Sequence, residues 1–310
     1  MKPLGENDLK ALVSLLEGEE GGQHDTLRRH LIEVGPSAIP FLEERCASAE
    51  PQARRRLEDV LREIRFGELR SQFKKLAASN EPSLETGAFL LARFGYPYMD
   101  EQRYRRWLDD TAAAARNASA ARAVSDGENS DLALGSGGDP RPLLRRLNTR
   151  LFDELRFCGN TQRYYDPDNS FLNRVIEART GIPISLSVLY ILLGRRLGLP
   201  VAGAGLPGHF MVLVEWERHP FFVDPFHEGR ALTAGQCREF LLSLGYPFNE
   251  RYLVPCSTRE ILARMMHNLI SIYHKSGRPE EARRLTELVD LLSSHAIKDP
   301  GRLLPRPPAA

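Results

Sequence analysis

The chain has 310 residues, of which 42% are hydrophobic, so it can build one large domain or two smaller ones, each with its own core. Forty-two Lys and Arg stand against forty-one Asp and Glu, a formal charge of +1, and no global field would steer nucleic acid or an anionic membrane. No apolar run reaches the ~20 residues that a bilayer span requires, the opening MKPLGENDLK lacks a hydrophobic signal core, and Cys46, Cys158, Cys237 and Cys256 form no CxxC pair. These features predict a cytoplasmic protein with reduced thiols, no cofactor and no metal site.

Residues 8 to 65 carry four short apolar stripes at helical spacing: Leu9, Leu12, Val13 and Leu16; Leu27, Leu31 and Val34; Ile39, Phe41 and Leu42; Leu57, Val60, Leu61 and Ile64. Gly35-Pro36 and the Pro51 corner punctuate them. The segment from Asp25 to Ile64 resembles a HEAT-type helical repeat over one to one and a half units, which would bury its face on a following domain or a partner. An ordinary helical subdomain over 1–65 is the other reading.

Helical stripes continue through Phe66, Leu69, Phe73 and Leu76, then Leu84 to Phe94, then Tyr104, Trp107 and Leu108. Residues 125–140 are polar and glycine-rich and predict a flexible loop. Helix resumes at Pro142. From Ile184 to Leu197 the chain is apolar on nearly every helical face, which predicts a helix inside a core. Val201, Phe210, Val212, Val214, Phe222 and Val223 then supply strand residues, with Arg218-His219-Pro220 as the hairpin turn. Thr233 reads as an N-cap, and Ser257 with Glu260 as a capping box. Gly277 and Pro279 separate two final helices that resemble one tetratricopeptide-type hairpin, and RLLPRPPAA reads as a disordered end. The fold class that follows is α+β: mostly helical, with a small antiparallel sheet packed on a buried helix and helical caps at both ends. The division expected is 1–65, 66–256 and 257–310.

Several motifs in order carry a more specific resemblance. Asn169, Leu172 and Asn173, then Gly181-Ile182-Pro183-Ile184, then Pro207-Gly208-His209-Phe210, then Asp224-Pro225-Phe226 look like the SirB-type branch of the transglutaminase-like superfamily. The resemblance covers roughly residues 66 to 275. It implies a papain-like logic: a cysteine at the start of a buried helix, a histidine on one strand and an aspartate on the next. His209 corresponds to the histidine and Asp224, fifteen residues on, to the aspartate. The cysteine is missing. Counting back from Gly198 at the superfamily's spacing lands on Pro183, and no cysteine lies between Cys158 and Cys237.

Ser185 is the nearest hydroxyl. It reads either as a first-turn helix residue bonded to backbone or as a serine nucleophile with His209 and Asp224. Asn169, Asn173, Pro183, Gly208, Phe210 and Phe226 are the expected pocket. His209 and Asp224 read equally as an ordered structural pair. Cys158, beside Phe157, reads as a buried small apolar residue, and Glu177 with Arg179 as an ion pair. Histidines 219, 227, 267 and 274 show no metal-ligand spacing. Gly203, Gly205 and Gly208 lack the strand–turn–helix context of a phosphate loop. The functional expectation is a transglutaminase-like pseudoenzyme that binds a peptide or protein partner; the alternative is a hydrolase or acyltransferase built on Ser185.

Overall fold

The computed structural model describes residues 5–18, 24–117, 138–217 and 219–294, together with 118–126 as helix backbone. Of the expected flexible loop 125–140, residues 127–137 lie outside the described residues, as does the expected disordered tail RLLPRPPAA. The chain divides into two compact units, Met1–Lys75 and Leu76–Ala310.

In the first unit, α1 (Glu6–Gly18), α2 (His24–Val34), α3 (Ile39–Ser48) and α4 (Pro51–Ala78) follow the four stripes. Val13, Leu16, Leu31, Leu42, Leu57, Val60, Leu61 and Ile64 meet in one buried cluster. Pro36 falls in a single 3-10 turn, Gly35–Ala38, and Pro51 opens α4, where its missing N–H has no helical partner to lose. Since nothing between Ile64 and Phe66 breaks the helical pattern, α4 runs on without interruption and also carries Leu69, Phe73 and Leu76.

The second unit starts with α5 (Leu84–Gly95), whose N-cap Ser83 accepts from Thr86 N at 3.2 Å. It continues with α6 (Glu101–Asp126) and with α7 (Arg141–Asn148), which passes into a π turn at Thr149–Glu154. Two-residue strands β1 (Cys158–Gly159) and β2 (Thr180–Gly181) pair in parallel around α8 (Leu172–Ala178). Then comes α9 (Pro183–Arg196). Every residue from Pro183 to Gly194 is buried, as its all-round apolar pattern requires.

Beyond α9 the sheet has five strands: β3 (Val201–Leu206), β4 (His209–Val214), β5 (Phe221–Asp224), β6 (Arg230–Leu232) and β7 (Pro255–Cys256), in the order β6-β5-β4-β3-β7 and antiparallel throughout. The sequence signals only the three with β-branched or aromatic runs. β6 and β7 are too short to show a period of two, and tertiary pairing alone makes them strands. Thr233 caps α10 (Ala234–Ser243) and Ser257 caps α11 (Thr258–Lys275), each with the reciprocal N3 side chain. Gly277, at φ 69°, turns the chain into α12 (Pro279–Ser294). A mostly helical α+β chain with a small antiparallel sheet packed on a buried helix is what the sequence predicts.

Strand alternation assigns the two sheet faces. Val201 and Gly203 look toward α9 and α11: a Cβ on Gly194 would meet Val201 at 2.9 Å, and one on Gly203 would strike the Phe210 ring at 2.7 Å. Phe210 shares that side, with the Arg264 guanidinium of α11 over its ring at 5.4 Å. Ala204, Leu206, Met211, Leu213 and Phe222 occupy the opposite side, in a cluster with Cys237 and Leu241 of α10. Both faces of β3 and β4 are therefore buried.

Candidate functional site

The site grows from the turn that joins β3 to β4. Gly208 lies at φ 71°, which an L side chain adopts only under strain, and lets Pro207-Gly208 reverse the chain tightly enough for His209 to open β4. By alternation His209 falls on the α10 side with Met211, and its ring lies 5.2 Å from that of Phe240. Asp224, at the end of β5, shares that side with Phe222. The two side chains meet there: His209 Nε2 is 2.8 Å from Asp224 Oδ2, with His209 6% and Asp224 2% exposed.

A third residue converges on the same oxygen. After Asp224 the chain enters a 3-10 turn, Pro225–His227, and three residues per turn return His227 to the side of Asp224. His227 Nδ1 is 2.7 Å from Oδ2, while Phe226 N donates to Oδ1 at 3.0 Å. Burial would raise the Asp224 carboxyl, but the hydrogen bonds and positive charge of His209 and His227 outweigh it and hold the group below its ordinary value. Phe226 packs edge-on to His209, with ring centres 6.0 Å apart, and a Cβ on Gly159 would collide with its ring at 2.6 Å. β1 thus lies directly against the turn that carries His227.

Ser185 is engaged elsewhere. It is fully buried in the first turn of α9; its hydroxyl donates to Asn169 O at 2.5 Å, lies 3.1 Å from Ile182 O and accepts from Ile182 N at 3.1 Å. Among the described residues it makes no hydrogen bond to His209. Pro183, at the position counted for the superfamily cysteine, is the first residue of α9 and has no N–H to offer. Asn169 is buried and staples the preceding loop: Nδ2 donates to Arg163 O and Tyr164 O, and Oδ1 accepts from Asn160. Asn173 is buried too, with Oδ1 lacking a partner among the described residues. Of the expected pocket, Phe226 borders the His209–Asp224 pair and Gly208 precedes it, whereas Phe210 points to the opposite face.

Two further expectations need correction. Cys158 is exposed, because β1 is an edge pair and only Phe157 turns inward. Glu177 pairs with Arg174 at 2.5 Å and accepts from Tyr104 Oη, while Arg179 takes φ 57° to end α8, so its side chain leaves the helix face that Glu177 occupies. Sequence reasoning also misses two residues. His227 was legible as Asp-x-x-His across a proline turn. Arg264 was not, since it reaches from α11 across 55 positions to donate to His209 O at 2.6 Å and also to Leu206 O.

Cys237 is fully buried beside this cluster. Burial, then the Asp224 charge, push its thiol up to about 12. The raised value leaves almost no thiolate near neutrality, so a disulfide reagent at pH 8 is expected to modify Cys158 in the native protein and Cys237 only after unfolding. Peptide mapping of the labelled chain checks this; rapid native labelling at Cys237 would show that α10 opens.

Comparison with known proteins places this geometry. Residues 102–267, which include α9, His209, Asp224, His227 and Arg264, match the family model described as the transglutaminase-like superfamily. The chain belongs to that superfamily. A UPF0162 protein of Xylella fastidiosa is 34% identical over 228 residues, covering 70% of this chain and 75% of that protein. A UPF0162 protein of Pseudomonas aeruginosa is 35% identical over 153 residues, 47% of this chain and 54% of that one. F-box only protein 21 of Homo sapiens is 31% identical over 159 residues, 48% of this chain and 24% of its own length. No solved structure matches. The transglutaminase-like chain thus joins the histidine and the aspartate while its α9 terminus offers a proline and a hydroxyl already spent on backbone. Among the described residues no helix is long and apolar enough to cross a membrane.

Proposed function

We propose that this transglutaminase-like protein, of the SirB-type branch, binds a peptide or protein partner in the cytoplasm and neither cleaves nor cross-links it. The observation that carries the reading is the commitment of the Ser185 hydroxyl to Asn169 O and to the backbone of Ile182, in a fully buried position. A serine nucleophile needs its proton within reach of a base, about 3.2 Å away, and this hydroxyl gives its proton to a carbonyl. The partner would dock where Phe226 and His227 flank the His209–Asp224 pair; Tyr164 packs edge-on to Phe226 with ring centres 6.3 Å apart, and its neighbour Tyr165 is 63% exposed. The first helical unit is read as HEAT-like and the α11–α12 pair as tetratricopeptide-like, and each would offer a helical surface of its own to a partner.

The test uses the full chain in two arms. A fluorophosphonate probe should leave the wild type unlabelled, and Ser185→Ala should lose ~1 kcal/mol of stability as a helix-terminus residue. Peptides selected from a random display library should bind the wild type and the Ser185→Ala variant alike, and bind a Phe226→Ala, His227→Ala variant much more weakly. Labelling at Ser185 that vanishes in His209→Ala would establish the hydrolase reading instead. Selection of no peptide above that Phe226/His227 variant would refute partner binding at this site.

A further inference from the structure

We propose that His209, Asp224 and His227 form a site for a divalent transition-metal ion, with zinc the species it best fits. The inference does not depend on whether a partner docks nearby. His209 Nε2, His227 Nδ1 and Asp224 Oδ2 lie within 4.8 Å of one another, and both ring nitrogens aim at the one carboxylate oxygen. Two imidazoles and a carboxylate are donors that suit zinc, iron(II), cobalt and nickel, and they discriminate against magnesium and calcium, which take oxygen alone.

The arrangement is supported on every side. Asp224 is 2% exposed, and its second oxygen is held by Phe226 N at 3.0 Å, so Oδ2 stays turned toward the histidines. Ligands oriented in this way by an outer shell of bonds are a regular feature of metal sites. Phe226 and Phe240 wall the His209 ring, and Arg264 holds the His209 carbonyl. Only His227 faces solvent, its side chain 54% exposed, and it provides both the entry path and the freedom to move. That freedom is needed. Bonds of about 2.0–2.2 Å to one tetrahedral ion set neighbouring donors about 3.4 Å apart, so the nitrogen–oxygen spacings of 2.8 and 2.7 Å would open by about 0.6 Å, with His227 swinging outward and the His209 and Asp224 side chains separating to admit the ion. Each neutral imidazole would carry its proton on the nitrogen facing away from the ion, Nδ1 of His209 and Nε2 of His227. Two neutral imidazoles and one carboxylate would leave the zinc with one net positive charge and a fourth position for solvent.

The experiment is calorimetric titration of chelator-treated full-length protein with zinc alone, followed by cobalt as a spectroscopic probe. One zinc per chain is expected, with a rise in melting temperature. His227→Ala, an exposed position that should fold normally by circular dichroism, should weaken binding by at least the roughly 10–100-fold seen for loss of mere outer-shell partners. Asp224→Asn should weaken it similarly, and His274→Ala, on α11, should bind as the wild type does. Cobalt should give ligand-field bands without the intense thiolate absorption that Cys158 or Cys237 would produce. Failure of wild-type protein to bind zinc at tens of micromolar, unchanged binding in His227→Ala, or a cobalt–thiolate band would each overturn the proposal.

Discussion

Replacing Leu189 by alanine is expected to cost about 3 kcal/mol, within the ~2–5 kcal/mol range for large-to-small changes in a packed core. Leu189 is 1% exposed in the middle of α9, where every residue from Pro183 to Gly194 is buried. A helix enclosed on all sides has no solvent edge toward which neighbours can relax, so the cavity stays open. At roughly 2–4 °C per kcal/mol for a unit of this size, the melting temperature should fall by about 6–12 °C. The matching control is Leu242→Ala in α10, which is 53% exposed and should change stability by less than about 0.5 kcal/mol. Calorimetry of both variants checks the pair, and equal losses would mean that α9 is not the centre of the core.

Arg264→Met should be nearly as costly, at about 3 kcal/mol. Methionine keeps the apolar stem but leaves the carbonyls of Leu206 and His209 without their donor, and hydrogen bonds to a charged group contribute roughly 1.5–3 kcal/mol each. It also removes the cation from the face of Phe210. Burial draws the guanidinium below its ordinary value, and no carboxylate pairs with it among the described residues; backbone oxygens and an aromatic ring stabilise its charge instead. Arg264→Lys should restore only part of the loss, because one ammonium cannot span two carbonyls and stack on a ring together. Urea denaturation measures the cost, and amide exchange should locate it at the β3–β4 turn. Wild-type exchange rates at Gly208 and His209 in Arg264→Met would rule out the clamp.

How much of this was legible in the sequence depends on the range of each interaction. The α9 helix was, because the twelve residues from Pro183 to Gly194 are apolar on nearly every face and admit one environment. So were the caps at Thr233 and Ser257, whose partners lie three residues away. The His209–Asp224 pair was legible from a hairpin that must bring its ends together. Strands β6 and β7 were not, since two or three residues hold no period and their pairing comes from distant chain. Cys158 misled for the same reason: its neighbour Phe157 is buried, but the parallel pairing of β1 with β2 turns the thiol outward. The commitment of Ser185 to Asn169 O needed the fold, because sixteen residues separate donor from acceptor. Arg264 lay furthest from any local signal.

The short ends of the sheet limit how anything can be added to it. On one side β7 pairs over two residues only, one of them Pro255, which has no N–H to offer a newcomer. On the other, β6 is three residues long and carries the exposed Arg230. An extended peptide would find no run of free backbone groups long enough to dock as a sixth strand, and the same brevity protects the folded chain from zipping edge to edge with its copies at high concentration. A partner of the kind proposed would then have to be recognised through side chains, and its sequence should matter more than its readiness to form strand.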